Sequence, residues 1–151
     1  MTDVSLRTLT PEDYPQVYAL WQSIHGFALR SVDDSREGIE RFLRRNPSTS
    51  VVAVSAGSIV GSILCGHDGR RAGLYHVCVR EDFRRRGIGK AMVDFCLEAL
   101  KAERISKVTL VAFTRNGTGN TFWQGLGWTA RPDLNTYDYT LVPDNLVRIN
   151  P

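Results

Sequence analysis

Apolar and polar positions change period several times along the chain, and each change marks an element. Val4 to Leu9 alternates and predicts a first strand. Thr10-Pro11-Glu12-Asp13 carries the marks of a helix start: Thr10 as N-cap, Pro11 in the first turn, and Asp13 as the acidic partner three residues on. Val17, Leu20, Trp21 and Ile24 follow at helical spacing. The polar segment Leu29 to Ser35 breaks that pattern. Ser35 then caps a second, short helix with Ile39, Phe42 and Leu43 on one face, stopped by Asn46-Pro47. Val51 to Val54 and Ile59 to Cys65 are β-rich runs around Ala56-Gly57 and predict a hairpin. Asp68-Gly69 signals another turn, and Gly73 to Val79 a further strand. Gly87 to Arg104 is the strongest helix, with Ile88, Met92, Phe95, Cys96, Ala99 and Leu100 on one stripe. Lys107 to Phe113 alternates as a strand, Asn120 to Leu126 predicts a short helix, and Tyr137 to Val142 predicts the last strand. The order is β-α-α-β-β-β-α-β-α-β, with no repeat, linker or low-complexity tract, and Pro143 to Pro151 is left unassigned.

Between the strand ending at Val79 and the strongest helix lies Phe83-Arg84-Arg85-Arg86-Gly87-Ile88-Gly89-Lys90-Ala91. A basic, glycine-punctuated turn that opens a helix suits a phosphate. Helix N-termini present unpaired N–H groups and partial positive charge. A glycine lets the backbone approach an anion closely. Three arginines at a helix N-terminus oppose the helix dipole, so stability alone does not favour them. A P-loop would need Gly at Arg84 and Ser or Thr at Ala91. A dinucleotide fingerprint would need a third glycine at Met92. Arg-x-x-Gly-x-Gly remains.

Composition narrows the classes. A chain of 151 residues with 42% hydrophobic content is long enough for one domain with a proper core, spanning 1–151. The net charge of +3 is mild, and Arg44-Arg45 and Arg70-Arg71 are short tracts without a basic–aromatic face, so nucleic acid is not an expected partner. Cys65, Cys78 and Cys96 form no Cys-x-x-Cys pair, and His25, His67 and His76 show no metal-ligand spacing, so no metal is expected. Free cysteines suit a reducing cytoplasm. The acidic and basic residues Asp3, Arg7, Glu12 and Asp13 do not read as a signal peptide, and no stretch is apolar enough for a membrane span.

A second pattern lies downstream. Asn116, Gly119, Phe122, Trp123, Leu126, Gly127 and Trp128 stand at the spacing Asn, small residue, aromatic pair, Leu-Gly-aromatic. With the Arg84–Ala91 turn, this resembles the two signatures of the GCN5-related N-acetyltransferase superfamily, over roughly residues 4 to 142. Gly66-His67-Asp68-Gly69-Arg70-Arg71 is similar to an element of some small bacterial members. The resemblance implies an α/β (α+β) fold: a mixed, mainly antiparallel central sheet with helices on both faces, whose fourth and fifth strands run parallel and splay apart. It also implies acetyl-CoA as co-substrate and an amine acceptor as partner, with a homodimer as a candidate assembly. The pantetheine arm would pair with the backbone of Val77, Cys78 and Val79. The pyrophosphate would rest on Arg84, Arg85, Arg86, Gly87, Ile88, Gly89, Lys90 and Ala91. Asn116, Phe122 and Trp123 would border the thioester.

The chemistry implied is amine attack on a thioester carbonyl, by direct transfer in a ternary complex. The backbone N–H of Val79 is the position for the oxyanion. Many members place a Tyr at Trp123 to protonate the departing thiolate, and indole N–H is no proton donor at neutral pH. A thiol with a pKa near 8.5 leaves without a dedicated acid. For the base, Tyr75 has the parity of residues facing the acceptor. Adjacent His76 turns to the opposite face unless a bulge intervenes, and a satisfied core histidine is its default. His67 and Asp68 border the same sheet end, with Asp68-Gly69 read as a turn, and a base acting through water is an alternative. Cys78 sits mid-strand without a base partner and reads as core, as do Cys65 and Cys96. Trp21 reads as core, while His25, Phe27 and Arg30 are candidates for the acceptor pocket. Asp33, Asp34 and Asp68 would attract a cationic amine, with solvated carboxylates as the default. A non-catalytic acyl-CoA sensor on the same fold is the competing function, motivated by Trp123.

Overall fold

The computed structural model describes residues 3–151. The elements run β1 (Ser5–Thr8), α1 (Tyr14–Ser23), β2 (Ala28–Arg30), α2 (Arg36–Arg45), β3 (Val51–Ser55), β4 (Ser58–His67), β5 (Arg71–Val79), α3 (Ile88–Ala102), β6 (Lys107–Thr109), α4 (Gly117–Gly125) and β7 (Val147–Ile149). The main sheet has the order β1-β3-β4-β5-β6. Its pairs are antiparallel except β5–β6, which is parallel. The expected mixed sheet is therefore present. The parallel pair expected as strands four and five is the one labelled β5–β6 here, since the short β2 shifts the count by one.

Local chemistry explains the starts and stops. Asp13 accepts from the backbone N–H of Thr10 at 2.9 Å, as the helix-start pattern predicts, and a 3-10 turn over Pro11–Asp13 leads into α1. Ser35 Oγ accepts from Gly38 N–H at 3.0 Å and caps α2. Asn116 Oδ1 does the same for Gly119, which starts α4 three residues earlier than the apolar pattern indicates. The Asp68 turn closes β4 onto β5: its Oδ1 accepts from Arg70 and Arg71 N–H at 2.8 and 2.9 Å.

The sheet sorts its side chains to two faces. Val51, Ala53, Val60, Ile63, Cys65, Ala72 and Leu74 meet Met92, Val93, Cys96 and Leu100 of α3. Val52, Ile59, Leu64 and Cys78 meet Val17, Leu20 and Trp21 of α1 and Ile39 and Leu43 of α2. On β5 the α3 face takes Ala72 and Leu74, then Val77 and Val79. That change of parity marks a bulge. The β4–β5 register shifts between Ser62↔Cys78 and Leu64↔Tyr75, and His76 takes φ +51°. Tyr75 and His76 consequently share the α1/α2 face, which corrects the expectation of opposite faces.

Two strands differ from the sequence pattern. The strand expected over Lys107–Phe113 pairs only over Lys107–Thr109. The strand expected over Tyr137–Val142 does not form. Its Tyr137, Tyr139 and Leu141 alternate as a strand should, yet all three lie exposed and pair with no strand. The closing strand is β7, which pairs antiparallel with β2 through Ala28↔Ile149 and Arg30↔Val147. The tail is fixed by two asparagines. Asn145 Oδ1 accepts from Val32 and Asp33 N–H, and Asn150 Nδ2 donates to the carbonyls of Trp21 and Ile24.

Candidate active site

Parallel pairing of β5 with β6 ends at Gly73↔Thr109, while β5 continues to Val79. The rest of β5 keeps its partner β4 on one edge only, with Gly61↔Val79 as the last pair. A wedge therefore opens along Tyr75–Val79, with an unpaired strand edge for an extended ligand to complete. Val77, Cys78 and Val79 line that edge.

At the mouth of the wedge the chain passes through a 3-10 turn, Glu81–Phe83, and enters α3. Arg85 at φ +63° and Gly87 at φ +78° are left-handed. This conformation gathers successive N–H groups into an anion-binding concavity. Among the described residues, no backbone N–H from Arg85 through Lys90 donates to a protein acceptor, and the first helical bond is Ala91 N–H to the Gly87 carbonyl at 3.0 Å. Six consecutive free donors at a helix start form a cradle for phosphate oxygens. The buried Ile88, Met92 and Val93 hold that start in the core.

The three arginines do different things. Arg84 Nε donates to the Val79 carbonyl at 3.1 Å and closes the end of β5. Arg86 donates to the Asp82 carbonyl and lies over the Phe83 ring at 4.7 Å. Arg85 has no side-chain partner among the described residues and is the one free to meet an anion. Lys90 pairs with Asp94 at 2.9 Å. At Gly89 the approach is close, since a Cβ there would meet the Phe122 ring at 3.2 Å. The first signature is thus pressed against the second. Phe122, Trp123 and Trp128 form an aromatic cluster with centroid separations of 5.0 and 4.8 Å.

The α1/α2 face of the wedge is aromatic. Tyr75 meets Phe42 edge-on at 6.2 Å and is 53% exposed. His76 packs on Trp21 at 4.7 Å and Phe27 at 4.8 Å. Trp21 is fully buried, as expected, and donates Nε1–H to Ser62 Oγ at 3.0 Å. Cys78 lies 3.6 Å from the same hydroxyl. Burial pushes the Cys78 thiol up to about 11, despite the Ser62 hydrogen bond and the charge of Arg84. At neutral pH it is a thiol and a poor nucleophile. Cys65 and Cys96 are buried and free.

Asp34 overturns an expectation. It is buried rather than solvated, and accepts from Arg30 N–H at 2.7 Å and bonds His76 Nε2 at 2.7 Å. Asp33 receives Asn145 Nδ2. Asp68 and His67 serve the turn, His67 Nδ1 accepting from Gly69 N–H. The Asp68 carboxyl is held below the usual carboxylate range by the N–H groups of Arg71 and Arg70. His25 and Arg30 are exposed at the rim. Ser62, Asn150 and the pairing of Asp34 with His76 escaped the sequence reading, since the partners lie 16 to 129 residues away. The bulge had a legible signal: apolar positions 72 and 74 are followed by 77 and 79.

Among the described residues no three His, Cys, Asp or Glu side chains converge as metal ligands, and no helix is long and apolar enough to cross a membrane. A hollow of about 560 Å³ lies on the other side of α3, lined by Leu6, Phe95 and Ala99. It faces away from the wedge.

The comparisons agree with this geometry. Acetyltransferase SG1711 of Sodalis glossinidius is 29% identical over 141 residues, covering 93% of this chain and 98% of the relative. Acetyltransferase ECA0875 of Pectobacterium atrosepticum is 34% identical over 108 residues, covering 72% of this chain and 75% of its own. The fold matches PaiA N-acetyltransferase from Thermoplasma acidophilum in complex with coenzyme A, with a TM-score of 0.72 at 16% identity over 82% of this chain and 88% of that one. The acetyltransferase (GNAT) family model matches residues 12–128, so the chain belongs to that family and is an acetyl-CoA-dependent N-acetyltransferase.

Proposed function

We propose that the 151 residues act as one domain, in the reducing cytoplasm, that transfers acetyl directly from acetyl-CoA to a primary amine while both are bound. The observation that carries this reading is the row of free N–H groups from Arg85 to Lys90 at the mouth of an open strand wedge. The pyrophosphate rests on that row, reaching Ala91 at the helix start, with Arg85 supplying the mobile charge and Arg84 and Arg86 the fixed ones. The pantetheine amides complete the β5 edge at Val77, Cys78 and Val79. Asn116, Phe122 and Trp123 border the thioester, and Tyr75 lines the acceptor side.

The amine nitrogen adds to the thioester carbonyl, and the oxyanion meets the Val79 N–H. The C–S bond then breaks, the amine proton is lost, and acetylated amine and the thiol of CoA are released. Holding both reactants in one wedge removes much of the entropic barrier. Cys78 takes no part, because its thiol stays protonated and its strand lies beside the ligand.

Calorimetry with coenzyme A, followed by thiol release from acetyl-CoA with an amine panel, tests this reading. The panel is spermidine, lysine, a short peptide with a free α-amine and kanamycin. Arg85→Glu is expected to weaken coenzyme A binding by more than about tenfold, by reversing the charge of the arginine whose side chain has no protein partner at the cradle. Initial-rate plots are expected to intersect, and Cys78→Ala to keep transfer. Equal affinity for wild type and a folded Arg85→Glu variant would sink the phosphate assignment. Tight binding without thiol release from any amine would favour the non-catalytic sensor, the reading that Trp123 motivates.

A further inference from the structure

Resting on that reading, we propose that His76 accepts the proton from the acceptor amine, and that Asp34 is the positioning residue that holds its ring.

The hydrogen bonds assign the tautomer. His76 Nε2 lies 2.7 Å from Asp34 Oδ1. An ionised carboxylate only accepts, so Nε2 carries the hydrogen and the lone pair of the neutral ring is on Nδ1. Among the described residues Nδ1 has no protein partner, and the side chain is 18% exposed. A fully buried histidine would need partners for both nitrogens. Here one is committed and the other is open.

Backbone geometry points the same way. His76 stands at φ +51° inside a strand, a left-handed conformation that a residue other than glycine rarely adopts there. The bulge that demands it turns the imidazole onto the face of Tyr75. Its position lies past Gly73, where β5 has lost β6 and the wedge is open, and just before the Val77–Val79 edge. Strain held at such a place needs a structure that over-determines it. Trp21 and Phe27 clamp the ring.

Asp34 is over-determined too. Its Oδ2 accepts from Arg30 N–H, its backbone N–H donates to the Arg30 carbonyl at 3.1 Å, and its own carbonyl receives the Tyr14 hydroxyl at 2.7 Å. Burying a carboxylate is costly unless it is paired. This one is aimed at a histidine at the edge of the acceptor side. The amine proton passes to Nδ1 as the N–C bond forms and the C–S bond breaks. The imidazolium then releases it to solvent, from which the thiolate is protonated. The balance needs no acid at Trp123.

The test uses whichever panel amine releases thiol fastest. His76→Asn keeps a side chain that tolerates left-handed backbone but cannot take the proton. It is expected to lower kcat by about a hundredfold or more, the usual scale for a general base, with coenzyme A affinity within about threefold of wild type. His76→Gly accommodates φ +51° and leaves a space beside Asp34, so added imidazole is expected to restore at least about tenfold of the lost rate. Asp34→Asn is expected to lower kcat with the KM for acetyl-CoA unchanged, and nitrogen NMR should show its ring losing the Nε2–H form. In the wild type, that NMR should show neutral His76 protonated on Nε2, with or without an acceptor. Protonation on Nδ1, wild-type kcat in His76→Asn, or no response of His76→Gly to imidazole overturns the assignment. Failure of wild type to bind coenzyme A overturns the acetyl-transfer reading instead.

Discussion

The two walls of the wedge are built differently. One wall is β5 with the start of α3. It grows out of a core whose buried hydrophobic residues all lie between Leu9 and Leu100 among the described residues. The other wall is the chain beyond β6, with α4. Its Phe122, Trp123, Leu126 and Trp128 pack only partly buried against the core, and beyond it Tyr137 and Tyr139 are each 87% exposed. The difference teaches where preorganisation lies. The phosphate cradle is anchored by buried side chains before any ligand arrives. The aromatic wall has little buried area of its own, so a ligand between the two walls adds contacts that the free chain lacks.

Truncating the first wall should show the largest effect. Met92→Ala removes a fully buried side chain that lies against Gly61 and the cradle helix. It is expected to cost about 3 kcal/mol in urea unfolding, as a core Met does. Tyr139→Ser, in the second region, is expected to stay within about 0.5 kcal/mol. Equal losses would break the comparison.

The tail sharpens it, because the last residues are tied to the acceptor side and not to α4. Asn150 Nδ2 bonds the Trp21 and Ile24 carbonyls, and its backbone N–H meets the Phe27 carbonyl at 2.9 Å. Asn150→Ala removes two hydrogen bonds to carbonyls that each keep a backbone donor, Ile24 N–H and Phe27 N–H, and is expected to cost about 1–2 kcal/mol. It should raise the KM for the amine and leave coenzyme A affinity unchanged, which paired titrations would show.

The smallest effect concerns the first helix. Burial pushes the Asp13 carboxyl up, but the Arg7 guanidinium at 2.7 Å and the Thr10 N–H outweigh it and hold it below the usual carboxylate range. A lowered folded-state pKa gives stability that is fully present above about pH 4, the unfolded value, and is lost as pH falls through the folded one. Arg7→Ala is expected to cost about 1 kcal/mol at pH 7, limited because Arg7 is half exposed. The gap to wild type should narrow below about pH 4 in urea midpoints measured at pH 7 and pH 3.

Legibility followed the same division. The cap at Ser35, the Thr10–Asp13 helix start, the Asp68 turn and the stripe of α3 act within a few residues of chain, and their signals stand in the sequence itself. The cradle was legible for the same reason: Arg84 to Ala91 is one turn and one helix start. The strand expected at Tyr137–Val142 was misread because alternation states a preference for a strand, while a strand exists only where an edge accepts it. The β2–β7 pair was missed because three-residue strands carry little pattern and their partners stand 117 to 121 residues apart.

By itself, then, the sequence determined the elements with local causes, the two spaced signatures and, through them, the family and its co-substrate. Only the tertiary structure decided which donors stay free, where the wedge opens, and that Asp34 is buried against His76. Hydrogen bonds over 42 residues and a bulge set by the register of two strands depend on how distant segments meet. No local period or propensity encodes that meeting.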